Sequence, residues 1–215
     1  MVEQSLRARL RALSSSLIDH VTLVAVSKTQ SVDAIKLLLG AGHRVFAENR
    51  IQEAIEKWRP LRQAYPSVEL HYIGHLQRNK VSQAFDMFDV IESLDSERLA
   101  KRCAYERHQR GGLCPALWVQ VNIGEEAQKG GIHKTHAQEF VTWVRHDLTI
   151  PINGLMAIPP VGEDPAPYFQ QMQGLAQACA VSCLSMGMSA DYTIAMRYGA
   201  THVRLGTALF GARPA

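Results

Sequence analysis

The sequence predicts an α/β fold, a single (β/α)8 TIM barrel with an extra N-terminal helix. Three observations carry this. Short β-branched and aliphatic runs without polar alternation recur along the chain, as strands buried on both faces of a parallel sheet require. An amphipathic helical pattern follows each run, and the strand-helix units number eight. The links are short, with no Pro, Gly or Ser-rich linker in the 215 residues, so 1–215 reads as one domain. An open doubly wound sheet is the alternative architecture for the same alternation.

The elements follow in order. Leu6, Leu10, Leu13 and Leu17 make a helical stripe. Arg7, Arg9, Arg11 and Ser14 to Ser16 match the composition of a mitochondrial transit peptide, but the stripe and Glu3 favour a folded helix. Thr22-Leu-Val-Ala-Val-Ser-Lys28 is the first strand, and it ends in a lysine. Ser31 caps the next helix, which carries Ile35, Leu38 and Leu39 and stops at Gly40 and Gly42. Val45-Phe46-Ala47 is the second strand. Asn49 and Gln52 read as a capping pair before Ile51, Ala54, Ile55 and Trp58.

Leu70-His71-Tyr72-Ile73 and Phe88-Asp89-Val90-Ile91-Glu92 are the third and fourth strands, with Asp95 expected to cap the helix after the latter. Ala116 to Asn122 is the fifth, and the polar loop from Gly124 to His133 leads to a second capping pair, Thr135 and Gln138. Ile152 to Leu155 is the sixth strand, and Pro167 suits the first turn of the helix beyond it. Cys183-Leu184-Ser185 and His202-Val-Arg-Leu205 are the seventh and eighth, with Ser189 expected to cap one helix and Gly206-Thr207 opening the last.

The formal charge of +3, with no run of like charges, argues against nucleic acid as a partner. No apolar stretch is long enough to cross a bilayer as a helix. Cys103, Cys114, Cys179 and Cys183 form no C-x-x-C pair and read as buried thiols in a reducing cytoplasm. His133 and His136 lack a third ligand nearby, so no metal site is expected. Trp58, Trp118 and Trp143 fall on expected core faces.

In a barrel of this kind, active sites lie at the carboxyl ends of the strands, and phosphate commonly binds in the loops after the last two. Ser185-Met-Gly-Met-Ser189 and Gly206-Thr207 occupy those two loops and supply hydroxyls and backbone approach. Plain turn capping accounts for either loop alone. Across the mouth, Lys28 is either a strand-end lysine reaching solvent or a reactive amine. A lysine opposite a phosphate site suits pyridoxal 5'-phosphate, whose aldehyde condenses with an amine, or a phosphosugar aldolase or isomerase.

Further motifs narrow this. Val24-Ala-Val-Ser-Lys-Thr29, Glu48-Asn49 with Gln52-Glu53, Tyr72-Ile-Gly-His-Leu-Gln77 with Asn79-Lys80, and Val121-Asn-Ile-Gly124 are four of them. Gly154-Leu-Met-Ala-Ile-Pro159, Leu184-Ser-Met-Gly-Met-Ser189 and Val203-Arg-Leu-Gly-Thr207 with Phe210-Gly211 complete the set. Together they resemble the pyridoxal phosphate homeostasis protein family, whose members are similar to the barrel domain of alanine racemase. The resemblance implies that Lys28 forms an internal aldimine with pyridoxal 5'-phosphate and that Asn49 and Met156 lie beside its ring. It places Ser185, Ser189, Gly206 and Thr207 in a phosphate cradle and Arg204 opposite the pyridine nitrogen. A guanidinium there disfavours ring protonation and makes the cofactor a poor electron sink. The chain departs from the family pattern at Ala47, Arg50, His75 and Ala190.

A racemase needs a second acid-base group on the opposite face of the substrate carbon. In alanine racemase, the resemblance says, a tyrosine of a separate β-domain supplies it. This sequence ends at Ala215, after the eighth unit, so no second β-domain is expected, and Tyr72, Tyr192 and Tyr198 are weak substitutes. The expected protein is a cytoplasmic, monomeric, non-enzymatic PLP-binding protein for storage, delivery or regulation, with PLP-dependent apoenzymes as partners. A low-efficiency amino-acid racemase and a Schiff-base aldolase are the alternatives.

Overall fold

The computed structural model describes residues 2–211, so Met1 and residues 212–215 of the expected domain lie outside it. Its sheet closes on itself. Strands β1 (Thr22–Val26), β2 (Val45–Glu48), β3 (Glu69–Tyr72), β4 (Val90–Leu94) and β5 (Ala116–Asn122) follow one another as parallel neighbours. The circuit passes on to β7 (Ile152–Ala157), β8 (Cys183–Ser185) and β9 (His202–Leu205) and returns to β1. The result is a closed (β/α)8 barrel, and the open-sheet alternative falls. The loop after β5 contributes a two-residue strand, β6 (Ile132–His133), which pairs only with β5. Periodicity over two residues carries no signal, so the sequence reading missed it.

Nine helices are described. They are α1 (Val2–Ser16), α2 (Val32–Gly40), α3 (Ile51–Ala64), α4 (Val81–Met87), α5 (Glu97–Gln109), α6 (Ala137–His146), α7 (Ala166–Ala178), α8 (Tyr192–Arg197) and α9 (Thr207–Phe210). The additional helix α1 buries Leu6 and Leu10 against α2 and α9, with Leu13 and Leu17 partly covered. Strands and helices share one apolar layer in which Phe46, Trp58, Leu70, Ile91, Leu117 and Phe169 are fully buried. Trp118 is buried inside the barrel, whereas Trp143 is half-exposed.

Caps depart from expectation more than elements do. The Ser31 hydroxyl accepts from Ala34 N at 3.2 Å as expected. Asn49 and Gln52 form no capping pair, because α3 starts after Arg50 with no side-chain cap. Ser96, not Asp95, caps α5. Thr135 lies in a 3-10 turn preceded by His133, whose Nδ1 faces the Thr135 N–H. Asp191 precedes α8, and Ser189 serves another purpose. The four cysteines are free; Cys103 and Cys179 are buried and the other two half-buried. His133 pairs with Glu125, and among the described residues no cluster of three metal-ligating side chains exists.

Gly154 of β7 allows Trp118 to fill the barrel floor. A Cβ there would lie 2.7 Å from the indole and 2.9 Å from the Cys183 Cβ. Gly154→Ala should therefore lower the unfolding free energy by about 1–3 kcal/mol, the usual cost of overpacking, measured by urea denaturation.

Candidate functional site

Parallel strands gather their carboxyl ends at one mouth, and alternate residues of each strand face the barrel interior. Val24, Val26 and Ala47 form the apolar cluster of that interior. Val24 is the register partner of Arg204, and Met156 that of Ser185. Val26 is partnered with Ala47, so Lys28 and Asn49, two residues further on, rise from the same face at adjacent strand ends. Gly206 lies over Val26, where a Cβ would sit 3.7 Å from the valine Cβ. Strand parity thus brings Lys28, Asn49, Met156, Ser185, Arg204 and Gly206 to one face of the barrel.

Lys28 is half-buried, and its ammonium makes no hydrogen bond or ion pair with the described residues. Lys57 of α3, close by, is the opposite case. Its Nζ donates to the Ser27 carbonyl at 2.7 Å and to Glu53 Oε1 at 2.9 Å, and pairs with Glu48 Oε1 at 2.7 Å. All three ammonium protons have partners, so Lys57 is structural. Glu48, fully buried on the helix side of β2, also accepts from Ser27 Oγ at 2.7 Å and Trp58 Nε1 at 3.0 Å. Glu53 Oε1 accepts from Thr29 N at 2.6 Å. Burial pushes the Glu53 carboxyl up, but its bonds to Lys57 and Thr29 outweigh this and hold it below its ordinary range. Thr29 has φ 63°, a left-handed conformation that costs a β-branched residue roughly 1–3 kcal/mol.

On the other side of the interior Arg204 is nearly fully buried. Its Nη1 donates to Ser185 Oγ at 2.6 Å, its Nη2 to the Ala157 carbonyl at 2.9 Å, and Glu92 Oε2 lies 3.7 Å away. Burial pulls the guanidinium pKa down, with Glu92 and Asp191 opposing. Beneath it His71 bridges two carboxylates, Glu92 Oε1 at 2.6 Å from Nδ1 and Glu69 Oε1 at 2.7 Å from Nε2. Burial opposes the imidazolium, yet the two hydrogen bonds prevail and raise the His71 pKa to about 9. Burial and the charge of His71 push neighbouring His202 down to about 4.

The two expected phosphate loops meet. Ser189 Oγ accepts from Ala208 N at 3.1 Å, joining the loop after β8 to the start of α9. Gly187 turns that loop at φ 91°, where a Cβ would strike Ala195 at 2.6 Å. Met188 N donates to Asp191 Oδ1 at 2.6 Å, which closes the turn. Gly206 precedes α9 and Thr207 is exposed at its start. Helices α8 and α9 have only six and four residues, so hydroxyls and loop amides, rather than helix dipoles, are the donors here. The Ser185 hydroxyl, expected in the cradle, is bonded to Arg204. Met156 is buried in the floor beside Ser185, and Asn49 is half-exposed with its carbonyl 2.2 Å from where a Gly74 Cβ would stand.

Of the departures from the family pattern, Arg50 is exposed before α3, and His75 points outward and pairs with Asp95 at 3.1 Å. The reading of the sequence gave no role to Glu48, Glu53, Lys57, His71 or Glu92. The signal for His71 and Glu92 was a charged residue within a buried strand; Glu48 and Glu53 stood among the family motifs, and nothing in the sequence marked Lys57.

The site is donor-rich, and among its described residues Lys28 offers an amine without a partner. The described fold with this site defines a barrel of the alanine racemase N-terminal type: the family model of that domain matches residues 3–214. The Escherichia coli pyridoxal phosphate homeostasis protein is 36% identical over 206 residues, 91% of this chain and 87% of that protein. The Aquifex aeolicus protein of the same name is 35% identical over 200 residues, 89% of this chain and 86% of the relative. The chain belongs to the pyridoxal phosphate homeostasis protein family. PipY of Synechococcus elongatus, solved with PLP bound, superposes with a TM-score of 0.86 at 35% identity, covering 96% of this chain and all (100%) of that one. Clostridium difficile alanine racemase shares the fold at a TM-score of 0.76 and 17% identity, over 98% of this chain and 57% of the racemase.

His71 gives the barrel a pH dependence. A folded pKa of about 9 against an ordinary 6.5 means that its stabilisation is complete below pH 6.5 and lost as pH rises through 9. The unfolding free energy should fall by at most about 3 kcal/mol over that window, solvent screening at half-exposed Glu69 reducing the amount. Denaturation curves at stepped pH measure it, and NMR titration should show His71 protonated while His202 is neutral.

Proposed function

We propose that this chain, taken as one domain over 1–215, is a non-enzymatic pyridoxal 5'-phosphate binding protein that stores, delivers or regulates the cofactor. The observation that carries the reading is the free amine of Lys28, set at the same barrel mouth as a donor-only Arg204 and the joined Ser189 and Thr207 loops. The donor set fits the group. Bound PLP supplies an aldehyde that condenses with an amine, releasing water. Lys28 Nζ is the amine, and the link reverses by hydrolysis to free the cofactor. Ser189, Gly206 and Thr207 hold the phosphate; Asn49 and Met156 flank the ring. Arg204 donates to the ring nitrogen and, being always charged, keeps a proton off it. Ser185 serves by fixing Arg204.

The names of the relatives and the PLP in PipY support this reading over a phosphosugar aldolase. The three tyrosines weigh against a racemase. Tyr72 donates to the His75 carbonyl at 3.1 Å and burial raises its pKa, which suits a base poorly. Tyr192 pairs with Ser16 Oγ at 3.3 Å, at the N-terminal helix, and Tyr198 ends α8. The protein is proposed to act in the cytoplasm as a monomer, with PLP-dependent apoenzymes as recipients. Among the described residues no helix is long and apolar enough to cross a membrane.

Borohydride should bleach the yellow PLP-loaded protein and add the mass of reduced cofactor to the Lys28 peptide. Lys28→Ala should fold and take up no covalent PLP; retained covalent PLP would locate the link elsewhere. Exchange of the α-proton of alanine or serine in heavy water at an enzyme-like rate would make the protein a racemase.

A further inference from the structure

The two peptide groups that flank Lys28 are both gripped by one pair of side chains on α3. The Ser27 carbonyl, on the N-terminal side, accepts from Lys57 Nζ at 2.7 Å, and the Thr29 N–H, on the C-terminal side, donates to Glu53 Oε1 at 2.6 Å. Glu53 and Lys57 are themselves joined at 2.9 Å across one helical turn, and the same Glu53 oxygen serves both bonds. Lys57 is further held by Glu48, which is fully buried and fixed by Ser27 and Trp58. Only Lys28 lies between the two grips, and directly past the second Thr29 stands in a left-handed conformation that threonine adopts only under constraint. Released from Glu53, Thr29 would relax toward an extended conformation, and the Lys28 side chain would swing with it.

We infer that Glu53 and Lys57 are positioning residues that aim Lys28 Nζ at the aldehyde carbon of its ligand. The inference rests on the reading of Lys28 as the covalent anchor. Neither side chain reacts. Lys57 has spent every proton, and Glu53, with its side chain 24% exposed, faces the loop rather than the mouth. They act by fixing the Lys28 Cα, so that the amine meets the aldehyde carbon, forms the carbon–nitrogen bond and expels the carbonyl oxygen as water. A pair that merely stapled α3 to the barrel would affect the thermal midpoint and leave the rate of that reaction in the folded protein unchanged.

The full-length apoprotein is mixed with PLP in a stopped-flow instrument, and growth of the visible band of the covalent complex is followed. Borohydride trapping and peptide mass then identify the lysine. Glu53→Ala should slow the reaction about tenfold or more, the scale on which small misplacement of a reacting group acts, while Glu53→Gln, whose amide oxygen still accepts from Thr29, should stay within about threefold of wild type. Lys57→Met should slow it similarly, with Lys57→Arg restoring much of the rate. Near-UV circular dichroism confirms the fold, and if one variant unfolds the other carries the comparison. Folded Glu53→Ala and Lys57→Met proteins that react at the wild-type rate would overturn the inference, and so would unfolding of both, which would make the pair a structural staple. Failure of wild-type protein to be trapped on Lys28 would overturn instead the reading on which it rests.

Discussion

The barrel depends on a carboxylate kept away from water. Glu92 is fully buried at the centre of the sheet, and an isolated charge there would cost far more than the fold's margin of stability. It is tolerated because His71 bonds to one oxygen and Arg204 stands beside the other. Each of those cations is in turn buried and needs Glu92. Three charges of the interior therefore stand or fall together, and Arg204 has one place it can occupy. Hydrogen bonds to Ser185 and to the Ala157 carbonyl complete that definition from β8 and β7.

This gives the mouth two unlike sides. The β7 to β9 side presents donors, charged and neutral, of which Arg204 and Ser189 are held by hydrogen bonds. Preorganised groups of this kind cost nothing to align on binding. The β1 and β2 side presents an amine with no partner, on a backbone braced from behind by α3. On the proposed reading, the first half of the mouth would hold the phosphate and ring, and the second would supply the covalent link.

Much of this was legible in the residues. The eight barrel strands follow from apolar runs such as Thr22 to Val26 and Ala116 to Asn122, whose parity also decides which residues share the interior. Lys28 stood out as a charge ending a buried strand and the two glycine-bearing loops by their place after the last two strands, whereas Arg204 was marked only by the family resemblance. Caps such as Asn49 and Thr135 were misread, since a favourable residue spacing does not fix where the first helical turn begins. The ion pairs behind the site were invisible for a different reason. Glu53 and Lys57 are an ordinary i,i+4 surface pair by spacing, and only the approach of α3 to the end of β1 turns them inward. His71 and Glu92 lie 21 residues apart, and no local pattern joins them.

The closure of the sheet also bears on how the protein is made. Strand β1 pairs with β9, Thr22 facing His202, so the seam joins segments separated by nearly the whole chain. Until β9 has left the ribosome, the amine at the end of β1 exists without the arginine and without the second loop. A nascent chain therefore exposes an unpartnered edge on β1, and the barrel closes only after synthesis of its final strand.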